Sequence, residues 1–278
     1  MSREPSPEHY SYSAYADPAM AATFDSRRFS GPIGELIAKS QARVLANMVG
    51  RIKDRAVLDV GTGTGVVAVT AARAGAQVTG LDLTPELLER ARENASIAGL
   101  PDIVWTEGDA EQLPYPDASF DLVLSQFGHM FAPRPEVAVA QMRRVLKPGG
   151  RVAFATWPPE HFVGRQFALV GRNSPPPPPG APPPPLWGSP VVIAERLGAG
   201  FDAPFFERGT MRFPALSIAH FRAFMERSVG PIQKVVESLA ADAGKLAAFR
   251  AEFDALVAPY YCDNVVHQAY LLTRAQAR

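Results

Sequence analysis

One cysteine, Cys262, stands in 278 residues, so neither an intrachain disulfide framework nor a thiol-only metal cage can form. Charge of one sign is not in excess either. The 28 Lys and Arg balance the 28 Asp and Glu, leaving no basic surplus to neutralise phosphates, and nucleic-acid binding is not expected as the main activity. No apolar run reaches the roughly 20 residues of a membrane helix. The opening MSREPSPEHY also lacks the apolar stretch of a secretory leader. No membrane span is therefore expected, and a cytoplasmic location is the default. What the chain does have is 47% hydrophobic residues, ample for a core, and 27 prolines, many of them clustered. At roughly 100 to 200 residues per domain, the length allows one large domain or a core with a smaller lobe.

Periodicity organises the first half. Ile33, Leu36, Ile37, Val44, Leu45 and Met48 fall at helical spacing over 33–49. A short apolar run, Ala56 to Val60, then reads as a strand, Gly61-Thr62-Gly63-Thr64-Gly65 as a glycine-rich turn, and 66–74 as a helix. The unit repeats. Val78 to Asp82 reads as a strand, Thr84-Pro85-Glu86 as a helix start and Gly99 as its stop. Further strands are expected at Ile103 to Glu107, Phe120 to Ser125 and Arg151 to Thr156, with a helix over 136–145 and a turn at Lys147-Pro148-Gly149-Gly150. Strands alternating with helices predict an α/β fold, a doubly wound, mostly parallel sheet in a three-layer α/β/α sandwich.

The second half changes character. Pro175 to Pro179 and Pro182 to Pro185 predict an extended polyproline connector over 173–190. After it a short helix from Ser189 to Gly198, a strand from Phe205 to Phe213, helical spacing from Ser217 to Tyr260 broken at Gly230-Pro231, and a final edge strand from Val265 to Thr273 are expected. This gives an N-terminal segment 1–32, a core 33–172, the linker 173–190, and a C-terminal part 191–278 that carries a helical lid insert, 214–262.

Three acids fall at successive strand ends: Asp59, Asp82 and Asp109. The glycines alone fit several nucleotide-binding loops, since Gly63-Thr64-Gly65-Val66-Val67-Ala68 satisfies the looser dinucleotide pattern. Asp59 is more telling, because it would put negative charge beside a pyrophosphate yet suits an ammonium group. Asp82 stands where a carboxylate takes ribose hydroxyls, and Asp109 where one takes an adenine amine. Ammonium, ribose and adenine without phosphate describe S-adenosylmethionine (SAM).

The segments VLDVGTGTG, VTGLDLTPELL, GDAEQLPYPDASFDLVL and RVLKPGGRVAFATW, in this order, resemble the class I, seven-stranded SAM-dependent methyltransferases, and within them the group related to ubiquinone and menaquinone C-methyltransferases, over about 33–157. The resemblance implies a seven-stranded sheet with its last strand antiparallel and SAM as cofactor. It places Gly61, Thr62, Gly63 and Gly65 at the methionine moiety, beside whose ammonium Asp59 stands, Asp82 and Leu83 at the ribose and adenine, Asp109, Ala110 and Glu111 at the adenine edge, and Ser125 on the methionine side. The N-terminal segment with Tyr10, Tyr12 and Tyr15 would fold over the cofactor, and the acceptor would lie over the fourth and fifth strands, where His129 is a candidate base. The expected activity is methyl transfer to a small, hydrophobic or aromatic acceptor by a monomer or homodimer, with no metal. A non-catalytic SAM-binding scaffold and a nicotinamide-dependent oxidoreductase remain open alternatives.

Overall fold

The computed structural model describes residues 49, 51–176 and 180–278. The expected helix over 33–49, apart from residue 49, and Tyr10, Tyr12 and Tyr15 lie outside the described residues. β1 (Ala56–Val60) leads through the glycine loop into α1 (Val66–Arg73), followed by β2 (Gln77–Asp82), α2 (Pro85–Ile97) and β3 (Val104–Glu107). The first two helices start where the sequence expects them: α2 opens on Pro85, whose fixed φ suits a first helical turn, and Gly99 with φ +70 ends the chain's helical path. β4 (Phe120–Gln126), α3 (Pro135–Val145) and β5 (Leu146–Thr156) complete the first half. Central strands such as β4 are apolar on both faces, as a parallel sheet covered by helices requires.

The sheet runs β3-β2-β1-β4-β5-β8-β6. β6 (Phe205–Pro214) and β8 (Val265–Gln276) pair antiparallel, and β8 also pairs antiparallel with β5, so it alone among the long strands opposes the rest. The two-residue β7 (Tyr261–Cys262) is an antiparallel addition to β8. Two expectations are corrected here. The last strand is internal rather than an edge, because its middle is buried on both faces from Tyr270 to Thr273, and β6 takes the edge. The Lys147–Gly150 turn is absorbed into β5 as an irregularity, with Phe120 opposite Leu146 and Leu122 already opposite Arg151.

After α4 (Phe162–Arg172), the expected polyproline connector is only partly extended. Pro184–Gly188 forms a 3-10 turn whose Trp187 is 1% exposed, and Thr156 Oγ1 donates to the Trp187 carbonyl at 2.7 Å. Burying that indole holds the segment on the sheet. α5 (Pro190–Leu197) then leads to β6. Between β6 and β7 lie α6 (Ile218–Ser228), α7 (Gly230–Leu239) and α8 (Ala243–Val257). Ser217 and Asp242 cap α6 and α8 by accepting from the His220 and Lys245 amides, each at 3.0 Å. These helices share an apolar cluster with α4, in which Phe221 lies 5.7 Å from Phe162 and 5.0 Å from Phe213. No helix of the described residues is long and apolar enough to cross a membrane.

Candidate cofactor and acceptor site

The C-terminal ends of β1, β2 and β4 enclose two adjoining cavities of 230 and 170 Å³. Gly61, Gly63, Gln126, Phe127 and Phe131 line both, so the two form one cleft. Open parallel sheets bind ligands at this position, where adjacent crossovers leave in opposite directions and part the loops.

Gly61 has φ +65, and a Cβ there would stand 2.7 Å from the Gly128 Cα. The loop after β1 and the turn after β4 therefore cross backbone on backbone, and neither position has room for a side chain. Gly65 does something else. A Cβ on it would stand 2.8 Å from the Trp105 ring, so its bareness lets α1 sit close to β3, and it lies outside both cavities. Thr62 and Gly63 line the cleft, and Thr64 joins them.

Asp59 is 1% exposed; its Oδ2 accepts from Thr62 Oγ1 at 2.5 Å, while Oδ1 is buried without a partner among the described residues. Loss of water pushes its pKa from 3.8 up to about 7, with the Thr62 hydrogen bond opposing the rise, the nearby Asp82 charge adding to it, and the Ala68 backbone N–H, beyond hydrogen-bond geometry of Oδ1, opposing it least. Asp82 is also raised by burial, against two backbone donors: Gly63 N–H gives to Oδ2 at 2.7 Å and Thr84 N–H to Oδ1 at 3.0 Å. Asp82 thus fixes the glycine loop to the end of β2 while lining the smaller cavity with Leu83. Asp109 Oδ1 accepts from the Glu111 amide at 2.8 Å and shapes the loop after β3, so that Gly108 and Ala110 line the same cavity.

Three expected site residues have other work. The Glu111 carboxylate is taken by Arg134, through its backbone N–H at 2.5 Å and its guanidinium Nε at 2.7 Å, which pins the start of α3 to the loop after β3. Ser125 Oγ donates to the Val60 carbonyl at 2.6 Å and accepts from the His129 amide at 2.9 Å, tying β1 to the turn after β4 outside both cavities. The His129 ring is 1% exposed, 4.5 Å from Phe154 and 4.6 Å from Trp187. Burial, aided by the Arg196 charge, pushes its pKa from 6.5 down to about 3. The imidazole is enclosed by aromatic rings with neither nitrogen hydrogen-bonded among the described residues, while His129 also belongs to the lining of the smaller cavity.

Sequence reasoning missed the other end of the cleft. Phe127 takes φ +63, a conformation costly for an aromatic residue, and is held by its N–H, which donates to the Ala155 carbonyl at 3.0 Å, and by stacking on Trp157 at 3.9 Å. Gln166 of α4 and Gln268 of β8 line the same cavity, both nearly buried. Position just past β4 and β5 was a usable signal for Phe127 and Trp157. Nothing local marks Gln166 or Gln268, which arrive from distant elements.

Residues 58–154 match a methyltransferase-domain family model. An uncharacterised protein of Mycobacterium tuberculosis is 34% identical over 245 residues, 88% of this chain and 89% of its own. A demethylmenaquinone methyltransferase of Deinococcus radiodurans is 45% identical over 136 residues, 43% of this chain and 56% of that enzyme. Among solved structures, Haemonchus contortus phosphoethanolamine N-methyltransferase 2, in complex with phosphomonomethylethanolamine and S-adenosylhomocysteine, aligns with TM-score 0.58 and 18% identity over 96% of this chain and 58% of that one. Residues 58–154 thus form a methyltransferase domain, and the chain belongs to one family with the mycobacterial protein.

Proposed function

We propose that this protein moves the methyl group of SAM to a small, apolar or aromatic acceptor. The observation that carries the reading is Asp59 Oδ1, a buried carboxylate oxygen with no partner among the described residues, in the wall of a cleft whose glycine loop leaves backbone open to a ligand. A cation completes such a group, and an anion is repelled by it. That favours a cofactor with an ammonium over a dinucleotide, whose pyrophosphate would meet Asp59. The S-adenosylhomocysteine bound in the Haemonchus enzyme fits the same preference.

In this reading Asp59 faces the ammonium, and Asp82 accepts from the ribose hydroxyls with the lone pairs its two backbone donors leave free. Leu83, Gly108 and Ala110 flank the base, while Gly61 and Gly63 let the chain approach. When bound, the cofactor supplies a sulfonium methyl group that is already electrophilic. The protein's task is then to hold the acceptor in line and keep water out, which contributes about 7 to 11 kcal/mol when alignment is good. Phe127, Trp157 and the aromatic residues of β6 and α6 exclude water from the larger cavity, and their apolar character favours an apolar or aromatic acceptor. No histidine lines that cavity among the described residues, so the reading assigns no imidazole base.

Calorimetric titration with S-adenosylhomocysteine and with NADH, followed by assay of S-adenosylhomocysteine release from labelled SAM over a panel of phenols, quinols and fatty acids, tests the proposal. Binding of the first ligand alone and turnover of a ring acceptor are expected. NADH binding would establish the oxidoreductase alternative, and tight cofactor binding without any turnover would establish the scaffold.

A further inference from the structure

Only two of the residues lining the larger cavity carry charge: Asp59 at the cofactor loop and Arg212 of β6. Strands β4, β5 and β8 stand between β1 and β6, so four strand spacings, about 19 Å, part the two, and they do not pair. Arg212 is exposed, and its side chain has no ion pair or hydrogen bond among the described residues. Its register partner on β8 is His267, not an acid. Met211 and Phe213, on either side of it in sequence, are buried and line the cavity too, so the cation stands at the rim of an apolar wall. The other polar side chains of the cavity beyond the cofactor loop, Gln126, Gln166 and Gln268, are neutral amides.

An arginine in open water needs no partner. At the rim of an apolar cleft the balance changes, because a ligand that fills the cleft displaces water from the guanidinium and must meet its charge. A carboxylate does so with two oxygens that match the guanidinium fork. A cationic ligand is repelled, and a neutral one leaves the charge with less water and no counter-charge.

We propose that Arg212 selects an anionic methyl acceptor: an apolar or aromatic molecule with one carboxylate, its apolar body against Phe127 and Trp157 and its carboxylate at β6. Those two rings, stacked 3.9 Å apart, follow β4 and β5, and so lie three and two strand spacings from β6, about 14 and 10 Å. A bicyclic ring with a carboxylate spans most of that interval. The inference rests on the methyltransferase reading of the cleft and narrows its acceptor from apolar molecules in general to carboxylates. The cleft then sorts its two ligands by sign, an ammonium at Asp59 and a carboxylate at Arg212.

The test uses the wild-type protein saturated with S-adenosylhomocysteine at about pH 7 and titrated with 2-naphthoate and with 2-naphthamide, which share ring and size and differ in charge. 2-Naphthoate is expected to bind about threefold to tenfold more tightly, between the effect of an exposed ion pair and that of a hydrogen bond to a charged group. The preference should shrink as salt rises from about 0.05 to 0.5 M, since an ion pair at a rim is screened. In Arg212→Gln the two compounds should bind alike, while Arg212→Lys should keep part of the preference. S-adenosylhomocysteine affinity and Tm should be unchanged in both variants, since no described residue pairs with Arg212. Equal binding of the two compounds by the wild type, binding of neither, a preference indifferent to salt, or one that survives in R212Q would each overturn the assignment. Failure of these tests with intact S-adenosylhomocysteine binding leaves the methyltransferase reading in place. Absence of S-adenosylhomocysteine binding strikes that reading itself.

Discussion

A carboxyl buried as Asp59 is has lost its water without gaining a cation from the described residues, and its pKa of about 7 makes that loss measurable. The folded value lies above the unfolded 3.8, so the folded protein holds a proton that the unfolded chain releases between those two pH values. Stability therefore falls as pH rises from about 4 to 7, and roughly 4 kcal/mol of cost is in place above that window. Asp59→Asn should raise Tm at about pH 8 and change it little at about pH 4, as scanning calorimetry would read. A lower Tm at the higher pH would mean that a partner already stabilises the charge. Cofactor binding should respond in the same window: S-adenosylhomocysteine should bind more tightly at about pH 8 than at about pH 6, and Asp59→Asn should flatten that slope. His129 behaves oppositely. Its folded pKa of about 3 lies below the ordinary 6.5, so acid removes stability as pH falls through that range. His129→Leu should blunt the acid fall in Tm and leave the dependence of turnover on neutral pH unaltered; a lost acid limb in the rate profile would restore His129 as a base.

At the scale of elements, the cleft depends on two loops that touch through glycine. An alanine methyl at Gly61 would meet the Gly128 backbone at 2.7 Å, and one at Gly128 would meet the Gly61 carbonyl oxygen at 2.5 Å. Backbone cannot swing aside as a side chain can, so Gly61→Ala should part the two turns, costing about 1 to 3 kcal/mol of stability. S-adenosylhomocysteine affinity should fall at least about tenfold, which is about 1.4 kcal/mol. Gly171→Ala is the control: α4 leaves open space there, and alanine should be neutral or stabilising by up to about 1 kcal/mol. Equal losses in the two variants would show that the effect at Gly61 is not steric. The spacing of glycines was readable from the sequence, and so was the strand before them. The division of labour among them was not, because Gly61 answers to Gly128, 67 positions on, and Gly65 to Trp105. The protein partners of Ser125 and Glu111 were illegible for the same reason, since Val60 and Arg134 come from other elements.

At the scale of the molecule, two apolar clusters divide the described residues: one fills the sheet and its flanking helices, the other joins α4, β6 and the helices α6, α7 and α8. The larger cavity opens where they meet, with Val67 from the first side and Phe213 and Met225 from the second in its wall. Phe221, fully buried and in ring contact with Phe162, Phe213 and Phe253, is a central group of the second cluster. Phe221→Ala should remove about 3 to 5 kcal/mol from that cluster. Amide exchange should then quicken across α6 to α8 more than across β1 and β4, and acceptor KM should rise while S-adenosylhomocysteine affinity holds. Exchange quickening equally throughout would show a single cooperative unit instead.

The sequence by itself determined the alternation of strands and helices, the glycine loop, the acids at strand ends and hence the family. Those features are local: a period of two or 3.6, a proline at a first turn, a glycine where φ is positive. Only the tertiary structure decided which polar groups find partners. It carried β8 between β5 and β6, folded Trp187 onto the sheet, enclosed His129 among rings, and left Asp59 Oδ1 and Gln166 Oε1 without donors among the described residues. Whether a buried polar atom is satisfied depends on residues far away in the chain, and no local pattern encodes that distance.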